Sequence, residues 1–429
     1  MAHGALNVPS FGPSTSGLSL GGHRTFLQWV LAVYILSAVL ISYMPWGADV
    51  SQGVGVVLAF CFLVRLLVER RGLSLTRELL ALALFASYTM VGALLAKNLA
   101  AFLTSEATLL QIYILVVIIY EVCRSDKASS LLMRVFVGAV AAASVLTVLG
   151  VNYYSPNRLG GVLGNPNTYG ATLFFAIALA IYLLSTGVRK RERVLLIAII
   201  PWLAWNVLLS GSRTAMLGVA VFVATLYLLY ARRKMLARPA RTLAIGVLLV
   251  GMVVGAVFCF SQDATMQRRL GNLWQTLVSG GKQVVGSGLE TRYQFIQAAL
   301  EVWQDHPFLG VGTNQFRFHA MGYNPDLYTT YAHSDYAEIL ADFGVVGFIL
   351  YYTVFVFLVV RVLRLRARKR NTREIWRIEV IAAFLTAYFV MELGYVWYYD
   401  KASWIVLALL LCALQDRRVQ GEELASHGS

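Results

Sequence analysis

The chain has 429 residues, of which 58% are hydrophobic and 14% are charged, and its formal net charge is +14. Soluble domains carry about 25% charged residues, so this composition excludes a soluble enzyme and predicts a membrane protein with many spans. The net charge does not indicate nucleic-acid binding, because the basic residues are distributed as in multi-pass membrane proteins.

Apolar runs close to the ~20 residues needed to cross a bilayer recur along the chain. Residues 1–24 are rich in Gly and Ser and are expected to form a disordered cytoplasmic tail. Nine runs follow within 25–260, a long polar connection occupies 261–343, three runs lie within 344–414, and a second tail covers 415–429. The twelve predicted spans are residues 25–44, 52–68, 79–96, 103–122, 131–151, 168–185, 194–210, 214–230, 242–260, 344–363, 380–397 and 402–414. The sequence thus predicts an all-α polytopic fold with one large loop.

Lys and Arg are concentrated on one side of this predicted bundle. If the N-terminus lies inside, the short inner segments hold 27 of the 36 basic residues, the short outer segments hold four, and the long loop holds five. The positive-inside rule then places both termini in the cytoplasm and the long loop outside.

The long outer loop contains two predicted amphipathic helices. The run SGLE, which begins at Ser287, has the spacing of a capping box. The run ETRYQFIQAALEVWQ that follows repeats apolar residues at helical intervals from Tyr293 to Trp303. A second short helix is predicted after His333, with its end at Gly344. We expect both helices to lie on or in the outer membrane surface.

The second loop helix carries an unusual group of titratable residues. His333 stands at its start, where an imidazole could accept a proton from a hydroxyl; the alternative is a helix-start histidine bonded to local backbone. Asp335, Glu338 and Asp342 recur at i, i+3 and i+7 and share one face. The favoured interpretation of that face is that it is solvated. A metal site is less favoured, because no paired-histidine motif accompanies the acids.

Arginines on the outer side are candidates for binding an anion. Arg213, in LLSGSRTAML, follows a Ser-Gly-Ser turn, so backbone amides, a helix N-terminus and a guanidinium could converge there; a snorkelling arginine is the alternative. Arg292 is predicted on the apolar side of the first loop helix, where a charge is costly without a partner such as phosphate. Arg268 and Arg269 add positive charge at the start of the loop, and contact with lipid headgroups is their favoured role.

The segment RLGGVLGNPNTYG, residues 158–170, is a further outer connection. Turn chemistry explains most of its composition, and contact of its asparagine side chains, Asn167 among them, with a sugar is the alternative. The chain lacks the DxD motif that commonly holds sugar nucleotides through a metal, and it lacks Walker A and HExxH motifs. An outer site is also remote from cytoplasmic nucleotides, so chemistry there needs a donor that carries its own activation.

The runs GNPNTYG, LLSGSRTAML, ETRYQFIQAAL, DHPFLGVGTNQF and AHSDYAEILADFGVVG occur in this order between about residues 160 and 350. In these runs the chain resembles the bacterial O-antigen ligase and polymerase superfamily. The resemblance implies a glycosyltransferase of the lipid-carrier type in the bacterial inner membrane, which takes a glycan from undecaprenyl pyrophosphate on the periplasmic face. A ligase passes the glycan to a lipid A–core sugar, whereas a polymerase passes it to another carrier-linked repeat.

The resemblance also implies roles for particular residues. The family's essential histidine before the tenth helix matches His333, and its essential arginines match Arg213 and Arg292. His333 would then be the general base for the acceptor hydroxyl, and the arginines would offset charge on the leaving pyrophosphate. No metal and no other cofactor would be required. Arg269, Arg158 and Asn167 are further candidates for substrate contact.

Two alternatives to a ligase stay open. A ligase is favoured over a polymerase because the chain has one large outer loop, whereas polymerases of this superfamily often have two. A lipid-linked sugar flippase or transporter is less favoured, because transporters often show inverted repeats and place polar groups near mid-membrane; Glu392 is the residue that best supports it. The expected partners are the carrier-linked donor, the lipid A–core acceptor and membrane lipids, without nucleic acid.

Overall fold

The computed structural model describes residues 20–415 apart from 42–43, 45, 70–72, 124–125, 152–158, 236, 261–286 and 370. Within these residues the chain is helical and contains no strand, which confirms the all-helical class predicted from the sequence. The helices are α1 (Leu20–Leu40), α2 (Gly47–Glu69), α3 (Arg77–Thr89), α4 (Leu99–Val122), α5 (Asp126–Val148), α6 (Pro166–Leu184), α7 (Lys190–Ser210), α8 (Arg213–Lys234), α9 (Pro239–Phe260), α10 (Ser287–Asp305), α11 (Phe316–Tyr323), α12 (Asp335–Arg368), α13 (Thr372–Met391) and α14 (Lys401–Ala413).

A helix occurs at each of the twelve predicted spans. Among the described residues, eight helices are long and apolar enough to cross a membrane: α2, α3 with the 3₁₀ turn that follows it, α4 to α8, and α12. Shorter apolar helices occupy Thr25–Leu40, Pro239–Leu248 and Lys401–Ala413, and α13 covers most of the eleventh predicted span. The total of twelve crossings stays a prediction.

Helix α6 forms the centre of the bundle and packs against α5, α7, α8 and α13. It is apolar around its whole circumference and almost entirely buried, as expected for a helix enclosed by others. Its aromatic side chains continue into the neighbouring elements, because Phe174 stacks on Phe384 at a ring separation of 5.7 Å and Phe175 lies 5.3 Å from the ring of Trp397.

The peripheral helices expose apolar side chains. On α2, Val56 and Leu67 are 69% and 68% exposed. Surfaces of this kind are unfavourable in water but match the hydrocarbon region of a bilayer. The bundle therefore has the outer surface of a membrane protein.

Helix α12 is kinked at Gly344 instead of ending there. Gly344 has φ 63° and ψ −169°, a conformation that only glycine adopts readily. A Cβ at this position would lie 2.3 Å from the backbone of Phe308. The kink frees backbone groups, and a neighbouring loop pairs with them: the N–H of Val345 donates to Pro307 O at 2.8 Å, and the N–H of Gly312 donates to Asp342 O at 2.7 Å.

A second, smaller core lies at one end of the bundle, where α10, α11 and the start of α12 meet. Helix α10 begins at Ser287, as predicted. Its buried face is not the predicted one: Phe295 and Val302 are buried, whereas Tyr293 and Leu300 of the predicted apolar stripe are 50% and 37% exposed. Ala298 and Ala299 lie on the buried face with Phe295 and Val302, and their small side chains allow the helix to pack closely against the protein. The second core consists of Phe295, Ala298, Ala299, Val302, Val311, Phe316, Ala320, Leu327, Ala332, Ala337 and Ala341.

Candidate active site

His333 lies immediately before α12, at the junction between the small core and the bundle. It adopts a left-handed backbone conformation with φ 59°, which is uncommon for residues other than glycine, although histidine is among the more tolerant. Its ring lies 4.3 Å from that of Tyr331 and 5.8 Å from that of Phe295 on α10. The surrounding residues thus fix both the backbone and the ring of this histidine.

Arg292 on α10 acts electrostatically on His333. Burial, and secondarily the positive charge of Arg292, lower the pKa of His333 to about 4. Burial also lowers the pKa of Arg292, an effect that Tyr331 and Tyr328 oppose. The imidazole is therefore neutral near pH 7, and its lone pair is available to accept a proton.

The acidic face of α12 is not solvated, and that prediction is wrong. Asp335, Glu338 and Asp342 all have 0% exposure. Burial of carboxylates is costly unless hydrogen-bond donors satisfy them. Neighbouring segments supply at least one donor to each acid, so each acid fixes the position of another part of the chain. Within the part of the chain that the structure describes, Oε1 of Glu338 has no hydrogen-bond partner. Among the described residues, no three His, Cys, Asp or Glu side chains form a group that could hold a metal ion.

Asp342 organises the loop before α11. One of its carboxylate oxygens accepts the backbone N–H of Phe316 at 2.8 Å and that of Gln315 at 3.1 Å. The other accepts the N–H of Asn314 and the hydroxyl of Tyr398, both at 2.8 Å. The run GVGTNQF therefore wraps around a single carboxylate, an arrangement that also satisfies the N–H groups at the start of α11.

Glu338 and Asp335 act in the same way on two other segments. Glu338 accepts the backbone N–H of Ala332, the residue before His333. Asp335 accepts the N–H of Tyr398 at 3.4 Å. The backbone that presents the histidine and the segment that follows α13 are thus both attached to the first turns of α12.

Tyr395, which the sequence analysis did not single out, connects several elements near His333. Its hydroxyl is hydrogen-bonded to that of Thr168 near the start of α6, and its ring lies 6.5 Å from that of Tyr331. The adjacent Gly394 accepts a hydrogen bond of 3.4 Å from the Thr214 hydroxyl on the first turn of α8. The aromatic run GYVWYY was the available signal, since aromatic residues with polar groups often line sites that are partly apolar and partly wet.

These contacts bring two further predicted residues to the same end of the bundle. Arg213 is the first residue of α8, and Asn167 lies in the first turn of α6; both are half-buried. The turn interpretation of the α6 segment is confirmed, because the side chain of Asn165 accepts the N–H of Asn167 at 2.8 Å. Arg158 and Arg269 lie outside the described residues.

The arrangement combines a neutral base with positive charge. His333 and Arg292 are close enough to interact, and the N-termini of α6 and α8 reach the same region through Tyr395. Helix N-termini carry partial positive charge and attract anions. Such a site can remove a proton from a hydroxyl and stabilise an anionic leaving group.

The fold and this site define an all-helical membrane protein with a His–Arg site at one end of its bundle. A family model described as O-Antigen ligase matches residues 198–352. The match includes Arg213, Arg292 and His333, and it confirms the resemblance to the O-antigen ligase and polymerase superfamily, whose members are glycosyltransferase-like ligases and polymerases. A search of curated proteins found no match.

Proposed function

We propose that the protein is an O-antigen ligase of the bacterial inner membrane. It transfers a glycan from undecaprenyl pyrophosphate to a lipid A–core sugar on the periplasmic face, and both of its termini are cytoplasmic. The observation that carries this proposal is the neutral His333 beside Arg292, within the region that the family model matches.

In the proposed reaction, His333 accepts the proton of the acceptor hydroxyl. The hydroxyl oxygen attacks the anomeric carbon of the donor, the bond from that carbon to the pyrophosphate oxygen breaks, and undecaprenyl pyrophosphate leaves with the bonding electron pair. A single displacement inverts the configuration at that carbon. Arg292 and Arg213 offset the negative charge that grows on the leaving group, a task that a metal performs in enzymes that use sugar nucleotides. The reaction as proposed is metal-independent.

The depressed pKa of His333 has a consequence for the order of events. A base with a pKa near 4 is weak, and the charge of Arg292 contributes to that weakness. A bound pyrophosphate would neutralise Arg292 and raise the pKa of His333, because nearby negative charge favours the protonated imidazole. The donor therefore strengthens the base that activates the acceptor.

The closest alternative is a polymerase that uses a carrier-linked repeat as acceptor. The single large outer loop favours a ligase. A transporter is disfavoured by the buried contacts of Glu392, the residue that best supported one. Its carboxylate accepts the hydroxyl of Tyr352 at 3.3 Å, and its carbonyl accepts the N–H of Asp335 at 2.9 Å. These contacts give Glu392 a role in positioning α12.

The function can be tested with purified protein and a carrier-linked glycan, offered in parallel lipid A–core and carrier-linked repeats as acceptors. His333→Ala should lower the single-turnover rate roughly 10²–10⁴-fold and leave donor binding nearly unchanged. Arg292→Ala should lower both donor affinity and rate, and Arg292→Lys should restore only part of each. The exposed His306 provides a matched control, and His306→Ala should retain full activity.

Each outcome bears on a different part of the proposal. Transfer only to carrier-linked repeats would replace the ligase with a polymerase. A His333→Ala enzyme with near-normal transfer, or one that loses donor binding as severely as Arg292→Ala, would refute the assigned roles.

A further inference from the structure

A pocket lies at the end of the bundle opposite His333. It is open to the surface between the end of α6 and the beginnings of α7 and α13, and its volume is about 500 Å³. Its lining includes Leu184, Ser185, Arg193, Arg373 and Trp376. Helix α6 begins beside Tyr395 and ends at this pocket, so a helix of about 28 Å separates the two sites.

Two arginines give this pocket its charge. Arg193 lies in the first turn of α7 and Arg373 in the first turn of α13, and both are exposed. Helix N-termini are already partially positive, so cations there are unfavourable unless an anion is nearby. Among the described residues, neither guanidinium takes part in an ion pair with an acidic side chain.

The acids of the same two turns are engaged elsewhere. Glu192 of α7 pairs with Arg134 at 2.6 Å. Glu374 of α13 lies 3.6 Å from Lys369. The pocket is therefore left with a local excess of positive charge that acids within its own helices do not offset.

The remaining walls combine polar and apolar groups. The side chain of Arg377 donates to the carbonyl of Ser185 at 3.4 Å, which ties α13 to the end of α6. Trp376 and Leu184 supply apolar surface beside the arginines. Tryptophan prefers the level of lipid headgroups, where its apolar ring and its N–H are both satisfied. This composition suits a ligand that has an anionic head and an apolar tail.

We propose that this pocket binds the phosphate group of an anionic phospholipid. Arg193 and Arg373 contact the phosphate, and an acyl chain runs along Trp376 and Leu184. Guanidinium groups recognise phosphate through paired charge-assisted hydrogen bonds, and basic pockets between membrane helices are a known way to hold anionic headgroups. The proposal is independent of the transferase reaction, because the pocket and the His333 site lie at opposite ends of α6.

The test compares lipid retention in the full chain, reconstituted into nanodiscs of phosphatidylcholine with or without phosphatidylglycerol. Native mass spectrometry after mild detergent extraction counts the retained lipids. Wild-type protein should retain phosphatidylglycerol in preference to phosphatidylcholine. The Arg193→Gln, Arg373→Gln double variant should bind phosphatidylglycerol about tenfold more weakly than wild type, or weaker still. Arg191→Gln, an exposed arginine in the same turn of α7 that does not line the pocket, should behave as wild type.

Three results would overturn the proposal. The first is unchanged phosphatidylglycerol retention in a double variant that elutes as folded protein on size-exclusion chromatography. The second is an equal loss in Arg191→Gln, because it would show that surface charge alone attracts the lipid. The third is stabilisation of protein in phosphatidylcholine by inorganic phosphate without lipid retention, because it would assign the pocket to free phosphate. If the double variant fails to fold, unchanged retention in both single variants would likewise refute the site.

Discussion

Removal of the Asp342 carboxylate tests whether the acids of α12 form the framework around His333. In Asp342→Ala, the N–H of Phe316 and the hydroxyl of Tyr398 lose their acceptor, and both residues are fully buried. A buried donor without a partner costs about 1–3 kcal/mol, so these two groups alone predict a destabilisation of about 2–6 kcal/mol. Asp342→Asn keeps one side-chain oxygen, which can accept from one of these two donors, and should cost about 1–3 kcal/mol.

Thermal unfolding of purified protein in detergent provides the assay. Cys123 and Cys412 are 1% and 5% exposed, so a thiol-reactive dye reports when the bundle opens. We expect the transition of Asp342→Ala to fall by on the order of 5 °C or more, with Asp342→Asn between it and wild type. Asp326 is an exposed acid between α11 and α12, beside the same small core, and Asp326→Ala should leave the transition unchanged.

The two Asp342 variants distinguish a buried carboxylate that holds the loop by hydrogen bonds from a solvent-exposed carboxylate without a structural role. An Asp342→Ala protein that unfolds at the wild-type temperature would refute the reasoning. Equal losses in the alanine and asparagine variants would also contradict it, because the asparagine retains an acceptor for one of the two buried donors.

Four further predictions follow from the kink, the pKa, the motifs and the charge distribution. Gly344→Ala should abolish folded protein on size-exclusion chromatography, since its Cβ would meet backbone at 2.3 Å, whereas Gly138→Ala, with nothing within 4 Å, should fold normally. Protonation removes the lone pair of His333, so kcat/KM for the donor, which reports the enzyme before the donor binds, should stay level as the pH falls from 7.5 to about 5 and decline only near the pKa of about 4; a decline of this parameter centred on pH 6.5, the ordinary histidine value, would contradict this. Transfer should persist in EDTA, and activity that disappears and returns with magnesium or manganese would count against the mechanism. In intact spheroplasts, Ser279→Cys should react with a membrane-impermeant thiol reagent and Ser426→Cys should not; the opposite pattern would invert the topology.

The apolar runs predicted the helices well, because hydrophobic length is a local property of the sequence. The kink at Gly344 was predicted only as a helix end. The helix continues beyond the kink because the backbone groups of Pro307 and Gly312 form hydrogen bonds with the groups that the kink leaves unpaired. Those partners lie more than 30 residues away along the chain, and no periodicity within the helix indicates them.

The acids of α12 show why part of the site could not be predicted. Spacing correctly places Asp335, Glu338 and Asp342 on one face, and a charged face is usually solvated. Here many of the partners of the acidic face are backbone N–H groups. Every residue except proline carries such a group, so no pattern of side chains in the sequence predicts which ones will pair with the acids. His333 and Arg292 were accessible through the family resemblance, whereas Tyr395 emerged only from contacts between segments that are distant in sequence.

The buried acids also shape the electrostatics of the proposed site. A carboxylate that faced the pyrophosphate would oppose its binding, yet three acids stand within ten residues of His333. Their enclosure resolves this conflict, because Oε2 of Glu338 and both oxygens of Asp342 accept hydrogen bonds from neighbouring segments, and neither residue has exposed surface. The chain thus uses buried acidic side chains to fix the loops around the histidine, while Arg292 supplies positive charge next to it. In the proposed mechanism, burial and the charge of Arg292 keep the pKa of His333 low until the pyrophosphate binds. Arg292 would then both attract the donor and delay activation of the acceptor hydroxyl until the leaving group is in place.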